Sequence, residues 1–414
     1  MKWFSPYLLL LCAAVVCGAD GSGSPSTGPR VFSLPSSGLV TARELLGQGD
    51  TILKPAIDAL RAAADKLLPL EPASVMTKIK TAASGNKHDY FSFASYWWPD
   101  PTKLDGLPYV RRDGAPNPES RTGSDATALA RTCNAVETLG LAYWFTGDQR
   151  HAEKAVQLIQ VWFISSSTRM TPSLEHAQAI PGKTPGRAIG IIEGRYLTAL
   201  TDGLALIKNS PAWTEASEKA MNSWLSRYFR WLTTSQNGKD IQNSESHHGT
   251  WYDVQAAHLA LVIGKPNEAK KILLAFLADR FSKQINPDGS QAVEISRTHS
   301  FGTLLFNLEA LMDLAHLGQQ VGVDVWGYTT ADGRSLRRAL HYLAPYVDSA
   351  KKWPHHELRL ADRARLLPLI ADALSYGEDP QLRELLQKFG GTRTGKARWR
   401  LLWPASVPRV EHPG

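Results

Sequence analysis

The chain has 414 residues, 43% hydrophobic and 21% charged, with 46 Lys and Arg against 39 Asp and Glu and a net charge of +7. This composition excludes a disordered chain and a multi-span membrane protein, and the length allows one large core or two ordinary domains. Apart from 396–400 (KARWR) the basic residues are scattered, so the excess suits a polyanion in general and does not single out nucleic acid.

At the N-terminus, Lys2 precedes the apolar run 7–16, which leads into Cys17-Gly18-Ala19 and a Gly/Ser/Pro stretch. That is the layout of a secretory signal peptide cleaved near Ala19, and the run is too short to span a bilayer. The expected organisation is a signal peptide over 1–19, a flexible leader over 20–40, one helical domain over 41–390 and a basic C-terminal tail over 391–414. The product is then secreted or periplasmic, with no membrane attachment once the signal is gone. Cleavage removes Cys12 and Cys17. The remaining Cys133 has no disulfide partner and, within an apolar helical stretch, reads as a small buried hydrophobe.

Apolar residues at three- and four-residue spacing predict helices over 51–68, 127–145, 149–163, 189–206, 217–232, 250–263 and 267–281. The pattern continues over 300–317, 335–343, 358–376 and 381–389. In the first, Asp50 or Thr51 is the expected N-cap, with Pro55 in the first turn. Strand signals are scarce and no fixed repeat is visible, so the expected fold is all-α, paired helices curled into an incomplete ring. The segments 84–124 and 168–187 are too long for mere connections and are read as functional loops.

The first loop holds "DYFSFASYWWPDP" and "GLPYVRRDGAPNPES", which crowd Tyr90, Tyr96, Trp97, Trp98 and Tyr109 among prolines. Aromatic faces stack on the C–H faces of sugars; the alternative is that the rings fill the core beneath the loop. Of Trp97 and Trp98, one is expected to pack inward and the other to face a groove. The second loop offers Glu175, His176 and Gln178, for which a solvated loop is the better reading.

"SHHGTWYD" is more specific. Helix onset at Thr250 would put 246–248 at a positive helix end, where an anion is welcome, and a histidine there can donate to a carboxylate or accept a proton. The alternatives are a capping histidine or a metal ligand. With His258 the only other nearby imidazole and no HExxH or CxxC, no metal and no cofactor is expected. Farther on, Glu294, Arg297 and His299 precede an apolar helix with Phe301, Phe306 and Leu308. Arg297 suits a carboxylate clamp, against the plainer reading of a surface ion pair with Glu294.

Together "YFSFASYWWPDP", "GLPYVRRDG", "AQAIPG", "HGTWYDVQ" and "FNLEAL", spread from about Tyr90 to Tyr346, resemble the alginate-lyase-like polysaccharide lyases, close to polysaccharide lyase family thirty-eight. The resemblance implies an (α/α) toroid, acting as a monomer, that cleaves an acidic polyuronate of the alginate or glucuronan type by β-elimination. It puts the family's catalytic histidine on His248 and its arginine on Arg297. Two positions depart: His247 stands where relatives carry Asn, and Thr303 where they carry a tyrosine six residues after the arginine. A threonine hydroxyl is a far poorer acid or base than a phenol. On this reading His247 contacts the substrate carboxylate and His248 serves as the C5 base or its partner. The proton for O4 comes from elsewhere, with His299 and Tyr252 as the nearest candidates and Tyr96 as a third. Tyr96, Trp97, Trp98, Gln178, Arg187, Trp251 and Thr303 are expected to meet the substrate.

Two other functions compete. One is a weak or inactive relative that binds acidic glycans. The other is a glycoside hydrolase, which needs two paired carboxylates; Asp100, Glu175, Glu245, Asp253 and Glu294 are available, without an evident pairing.

Overall fold

The computed structural model describes residues 28–409 except 113, 359, 360, 392 and 393. The expected signal peptide and the first part of the expected leader lie outside the described residues. Helices form along the chain as α1 (Ser36–Gly47), α2 (Lys54–Asp65), α3 (Glu119–Thr122), α4 (Ala126–Thr146), α5 (Gln149–Ile159) and α6 (Tyr196–Ile207). Then come α7 (Glu215–Thr234), α8 (Gln236–Gln242), α9 (His247–Val262), α10 (Pro266–Ala275), α11 (Phe281–Gln284) and α12 (Ala292–Ile295). The last third holds α13 (Ser300–Val321), α14 (Leu336–Leu343), α15 (Leu366–Ala373), α16 (Pro380–Phe389) and α17 (Trp399–Leu402).

Several predicted helices are composite. The stretch 149–163 ends in a π-turn, Gln160–Ile164, and 267–281 is broken by another, Phe276–Arg280, before α11. The stretch 189–206 opens as 3-10 turns over Ala188–Arg195 and only then becomes α6. The expected helix over 358–376 shrinks to α15, because Pro368 lacks an N–H and fits only in a first turn. Asp50 does accept N–H bonds from Ile52 and Leu53, as expected of a cap, although the regular helix starts at Lys54.

The helices pack in succession around a ring: α4 on α6, α6 on α9, α9 on α13, α13 on α15, α15 on α17, and α17 back on α1 and α2. This is the toroid. Close approach of α4 and α6 needs glycine on both sides, since a Cβ on Gly140 would lie 2.4 Å from the Gly203 carbonyl oxygen and one on Gly203 2.6 Å from the Glu137 Cα. Helices α9 and α13 are buried nearly all round, as inner helices are. Cys133 is buried on α4, and burial raises its thiol pKa. Among the described residues no helix is long and apolar enough to cross a membrane.

Both expected tails need correction. From residue 31 the leader is packed, with Val31, Phe32 and Leu39 buried and α1 running through Ser36–Gly47. The Asp202 carboxylate fixes this strap by accepting N–H bonds from Phe32, Ser33 and Leu34 at 2.8–2.9 Å. At the other end Trp399, Leu401 and Leu402 are buried, and the basic residues are engaged: Arg398 with Glu137 at 2.7 Å, Arg400 with the Gly390 carbonyl, Arg409 with Asp50 at 2.8 Å. Apolar residues interleaved with the cations pull this segment onto the ring.

The two long loops meet. Strand β1 (Phe91–Phe93) pairs in parallel with β4 (His176–Ala179), while β2 (Trp97–Trp98) pairs antiparallel with β3 (Val110–Arg111). The start of the first loop is anchored by the buried Lys78–Asp125 pair at 3.2 Å, and Asp125 also accepts the Phe91 N–H.

Candidate active site

Helix α9 begins at His247 rather than Thr250, so both imidazoles stand in its first turn. Their rings stack with centroids 4.2 Å apart. The cap is Ser246, whose hydroxyl lies 3.1 Å from His248 Nδ1. The anion expected at this positive helix end is supplied from within: the buried Glu294 carboxylate of α12 accepts the His247 backbone N–H at 2.8 Å and lies 2.8 Å from His247 Nδ1. The ion pair of the plainer reading exists, with Arg297 Nε at 3.8 Å, but the Glu294 carboxylate is buried and lies closer to His247. Among the described residues no hydrogen bond reaches Nε2 of either histidine.

His248 is half-buried, and its pKa is pushed down to about 3, first by burial and then by the charges of His247, Arg297 and Arg187. Arg187 comes from the second long loop and Arg297 from the turn before α13. The fold thus brings two guanidinium groups from separate segments to bear on one imidazole.

Arg187 is positioned by Gln178 at the end of β4, donating from Nε to its carbonyl at 2.9 Å and from Nη2 to its Oε1 at 3.0 Å. Gln178 holds a φ of 50°, rare for a residue with a side chain, and its N–H donates to Ser92 Oγ. Behind both sits Glu193, which accepts from the Tyr90 hydroxyl at 2.7 Å, from Ser92 at 2.6 Å and from the Gln178 side chain. Burial raises the Glu193 pKa, while these donors and Arg195 oppose the rise. Gly194 allows this turn to reach α7 and α9, since a Cβ there would lie 2.3 Å from the Tyr228 hydroxyl. Arg195 lies over the rings of Tyr196 and Phe306, and Phe306 meets His247 edge-on at 5.5 Å. Sequence reasoning missed Glu193. Its one signal was an acid inside the apolar run "AIGIIEGR".

Other expected residues are placed differently. Trp251 is 7% exposed, packed on Phe306 with its N–H donating to the Phe306 carbonyl, so it backs the histidines and offers no stacking face. Tyr252 is buried, its pKa pushed up to about 12 by burial and then by Asp253. His299 faces Glu357, with Nδ1 3.8 Å from the carboxylate. The Thr303 hydroxyl has the carbonyls of Glu294, His299 and Ser300 within 3.1 Å, so it ties α12 to α13 instead of presenting itself to a substrate.

The aromatic loop lies on the neighbouring small sheet. Trp97 and Trp98 are both half-buried; Trp97 packs against the small cluster of Ala94, Tyr109 and Ile180, which Trp98 does not join. Lys183 lies over Trp97 and Arg112 over Trp98, whose N–H donates to the Ala115 carbonyl. Tyr96 is exposed. Among the described residues no ring contact or hydrogen bond joins these three to the histidine pair. Of the carboxylates available for hydrolysis, Asp100 is half-buried, Glu175 accepts from Trp231 and Asn237, Asp253 pairs with Arg280 and Glu245 lies near Lys283.

Comparison with known proteins gives the following. The family model described as alginate lyase matches residues 74–353. The crystal structure of an alginate lyase from Bacteroides ovatus is similar over 92% of this chain and 100% of its own, with 35% identity and a TM-score of 0.85. Alginate lyase A1-III from Sphingomonas species A1 shares the fold at 17% identity, with a TM-score of 0.55 over 90% of this chain and 97% of that one. A histidine-to-alanine variant of A1-III complexed with a tetrasaccharide superposes at a TM-score of 0.58, with 16% identity over 93% and 98% of the two chains. The comparison with curated proteins gave no match.

Proposed function

The chain belongs to the alginate lyase family, and from that premise we propose that it is a polysaccharide lyase cleaving an acidic polyuronate by β-elimination. The observation that carries this reading is the half-buried His248 flanked by Arg187 and Arg297. β-Elimination has needs that match these groups. The C5 carboxylate must be neutralised so that the C5 proton becomes acidic, a base must take that proton, and O4 must be protonated as its bond to C4 breaks. Guanidinium groups aimed at the carboxylate stabilise the charge that develops on it in the transition state. An imidazole held neutral can accept the C5 proton.

Substrate binding fills the ring of cations around His248 with negative charge. That removes part of what depresses its basicity, so the base strengthens when the substrate arrives. Thr303, where the resemblance puts a tyrosine, is not assigned a proton-transfer role. The polymer is met outside the cytoplasm, on the reading of 1–19 as an export signal. The exported protein should then begin after Ala19, which N-terminal sequencing checks.

The decisive experiment incubates the protein with alginate, glucuronan and a neutral glucan and follows ultraviolet absorbance. A C4–C5 double bond conjugated to the carboxylate absorbs; a hydrolysis product does not. Absorbance should rise with a polyuronate only. New reducing ends without absorbance would make the protein a hydrolase, and binding without either would make it a glycan-binding relative.

A further inference from the structure

Two stacked imidazoles in one helix turn are surrounded unequally, and that inequality bears on which does what. His247 has a buried carboxylate against Nδ1, and the same carboxylate holds its backbone N–H. Nδ1 therefore carries a proton, the ring is fixed in orientation, and Nε2 is the atom left for chemistry. When Nε2 is also protonated, Glu294 balances the charge inside a site otherwise crowded with cations. His248 has only a hydroxyl at Nδ1, and burial first, then the charges around it, keep it neutral at rest. Two adjacent imidazoles with unlike partners can divide the acid and base roles within one site.

We propose that Glu294 and His247 form an acid dyad in which His247 Nε2 donates the proton to O4 of the departing sugar, while His248 Nε2 takes the proton from C5. This rests on the lyase reading above and supplies the acid that Thr303 cannot. The C5–H electron pair becomes the C4–C5 double bond, the C4–O4 pair leaves with O4, and O4 takes the His247 proton. The pair ends with the protonation inverted, His248 charged and His247 neutral, and exchange with water restores it. No oxidant or co-reactant enters.

The charged and titratable groups around His247 come from each neighbouring element. Glu294 and, beyond it, Arg297 belong to the α12 segment; His248 is its neighbour on α9. Arg195 reaches it across the Phe306 ring of α13, and the charge of Arg187 acts on the adjacent His248. Glu294 is the only anion in direct contact with the ring among the described residues. Glu294 is thus a positioning residue and His247 the catalytic one.

The test separates acid from base by changing the leaving group. A natural glycosidic O4 needs a proton to depart, whereas a 4-O-nitrophenyl uronide releases a phenolate that does not. On polyuronate, His247→Asn should lose on the order of 10²–10⁴-fold in kcat. On the nitrophenyl substrate it should approach wild type, while His248→Ala stays impaired on both. Glu294→Gln, nearly isosteric, should lower kcat on polyuronate more than on the nitrophenyl substrate, with KM little changed. Thermal melting of each variant monitors the fold. If wild type forms the unsaturated product but His247→Asn or Glu294→Gln is equally impaired on both substrates, the dyad is wrong and the lyase reading stands. If wild type forms no unsaturated product from any polyuronate, both fall.

Discussion

Helix α9 carries buried imidazole near each end, and the two ends are finished differently. Toward the C-terminal end, His258 is completely buried, with Nδ1 3.0 Å from Ser33 Oγ and Nε2 2.7 Å from Thr201 Oγ1. Its acidic neighbour Asp202, 3.7 Å away, is saturated by three backbone N–H groups of the N-terminal strap. At the N-terminal end, His247 and His248 each have one nitrogen engaged and one without a hydrogen-bond partner among the described residues. Both His248 and His258 have pKa values pushed down to about 3. Burial alone does this to His258, whereas His248 adds three positive neighbours. A displaced pKa therefore does not by itself separate a structural histidine from a chemical one; a ring nitrogen left without a hydrogen bond among the described residues does.

The sharpest way to break this contrast is to delete one imidazole from each end. His248→Ala should cost about 10²–10⁴-fold in formation of the unsaturated product, with a melting temperature close to wild type. His258→Ala should do the reverse. It leaves the Ser33 and Thr201 hydroxyls without their partner and opens a cavity, which together cost about 2–4 kcal/mol, yet activity per folded molecule should persist. Denaturant unfolding and the absorbance assay, run on both variants, check the exchange of effects. A His258→Ala enzyme that is stable but dead would end the comparison.

The two ends also differ in how much of them the sequence disclosed. Helical periodicity placed α4, α7, α9 and α13 to within a few residues, because each buries a continuous apolar face. It passed over α1, whose "SSGLV" opening looks like more of the Gly/Ser leader until Phe32 and Leu39 are seen to be buried. "SHHGTWYD" was legible as chemistry, but its partner was not. Glu294 lies 47 positions away, and nothing local says that its carboxylate turns toward His247 rather than toward Arg297, three residues on. Glu193 and the φ of Gln178 were hidden for the same reason, since both depend on strands from different loops coming together.

A pH titration sharpens the comparison through the shared shift. For His258 the folded-state pKa of about 3 lies below the ordinary value of 6.5, so the unfolded chain binds the proton more readily. Its contribution to stability is present above pH 6.5 and is lost progressively as pH falls from there toward 3. Asp202 acts oppositely: burial raises its pKa to about 7, so the folded state gains relative to the unfolded one as pH falls from about 7 toward the ordinary carboxylate range. The decline in wild-type stability between pH 7 and 5 should be smaller in His258→Gln, measured by denaturant unfolding at each pH. An equal decline in both proteins would mean that His258 is already protonated in the fold.

Smaller effects are expected where a cation serves binding. Arg187→Ala and Arg297→Ala should each raise KM for polyuronate by roughly tenfold, lower kcat as well, and flatten the dependence on ionic strength, because each removes a contact with a carboxylate whose charge grows in the transition state. Arg187 should show the larger change in fold as well, since Gln178 takes two hydrogen bonds from it at a strained backbone position.

The smallest effect is expected at Thr303, and it is informative for that reason. Its hydroxyl is surrounded by the carbonyls of Glu294, His299 and Ser300, so its proton is shared within the α12–α13 junction and not aimed at the histidine pair. Thr303→Val keeps the branched shape and removes that tie, which should cost about 1 kcal/mol and leave kcat nearly unchanged. Thr303→Tyr adds a phenol. If His247 already protonates O4, the new hydroxyl has no vacant role, and kcat should rise little or not at all. A large gain in Thr303→Tyr, with Thr303→Val neutral, would mean that the site lacks an effective acid and that His247 does not act as one.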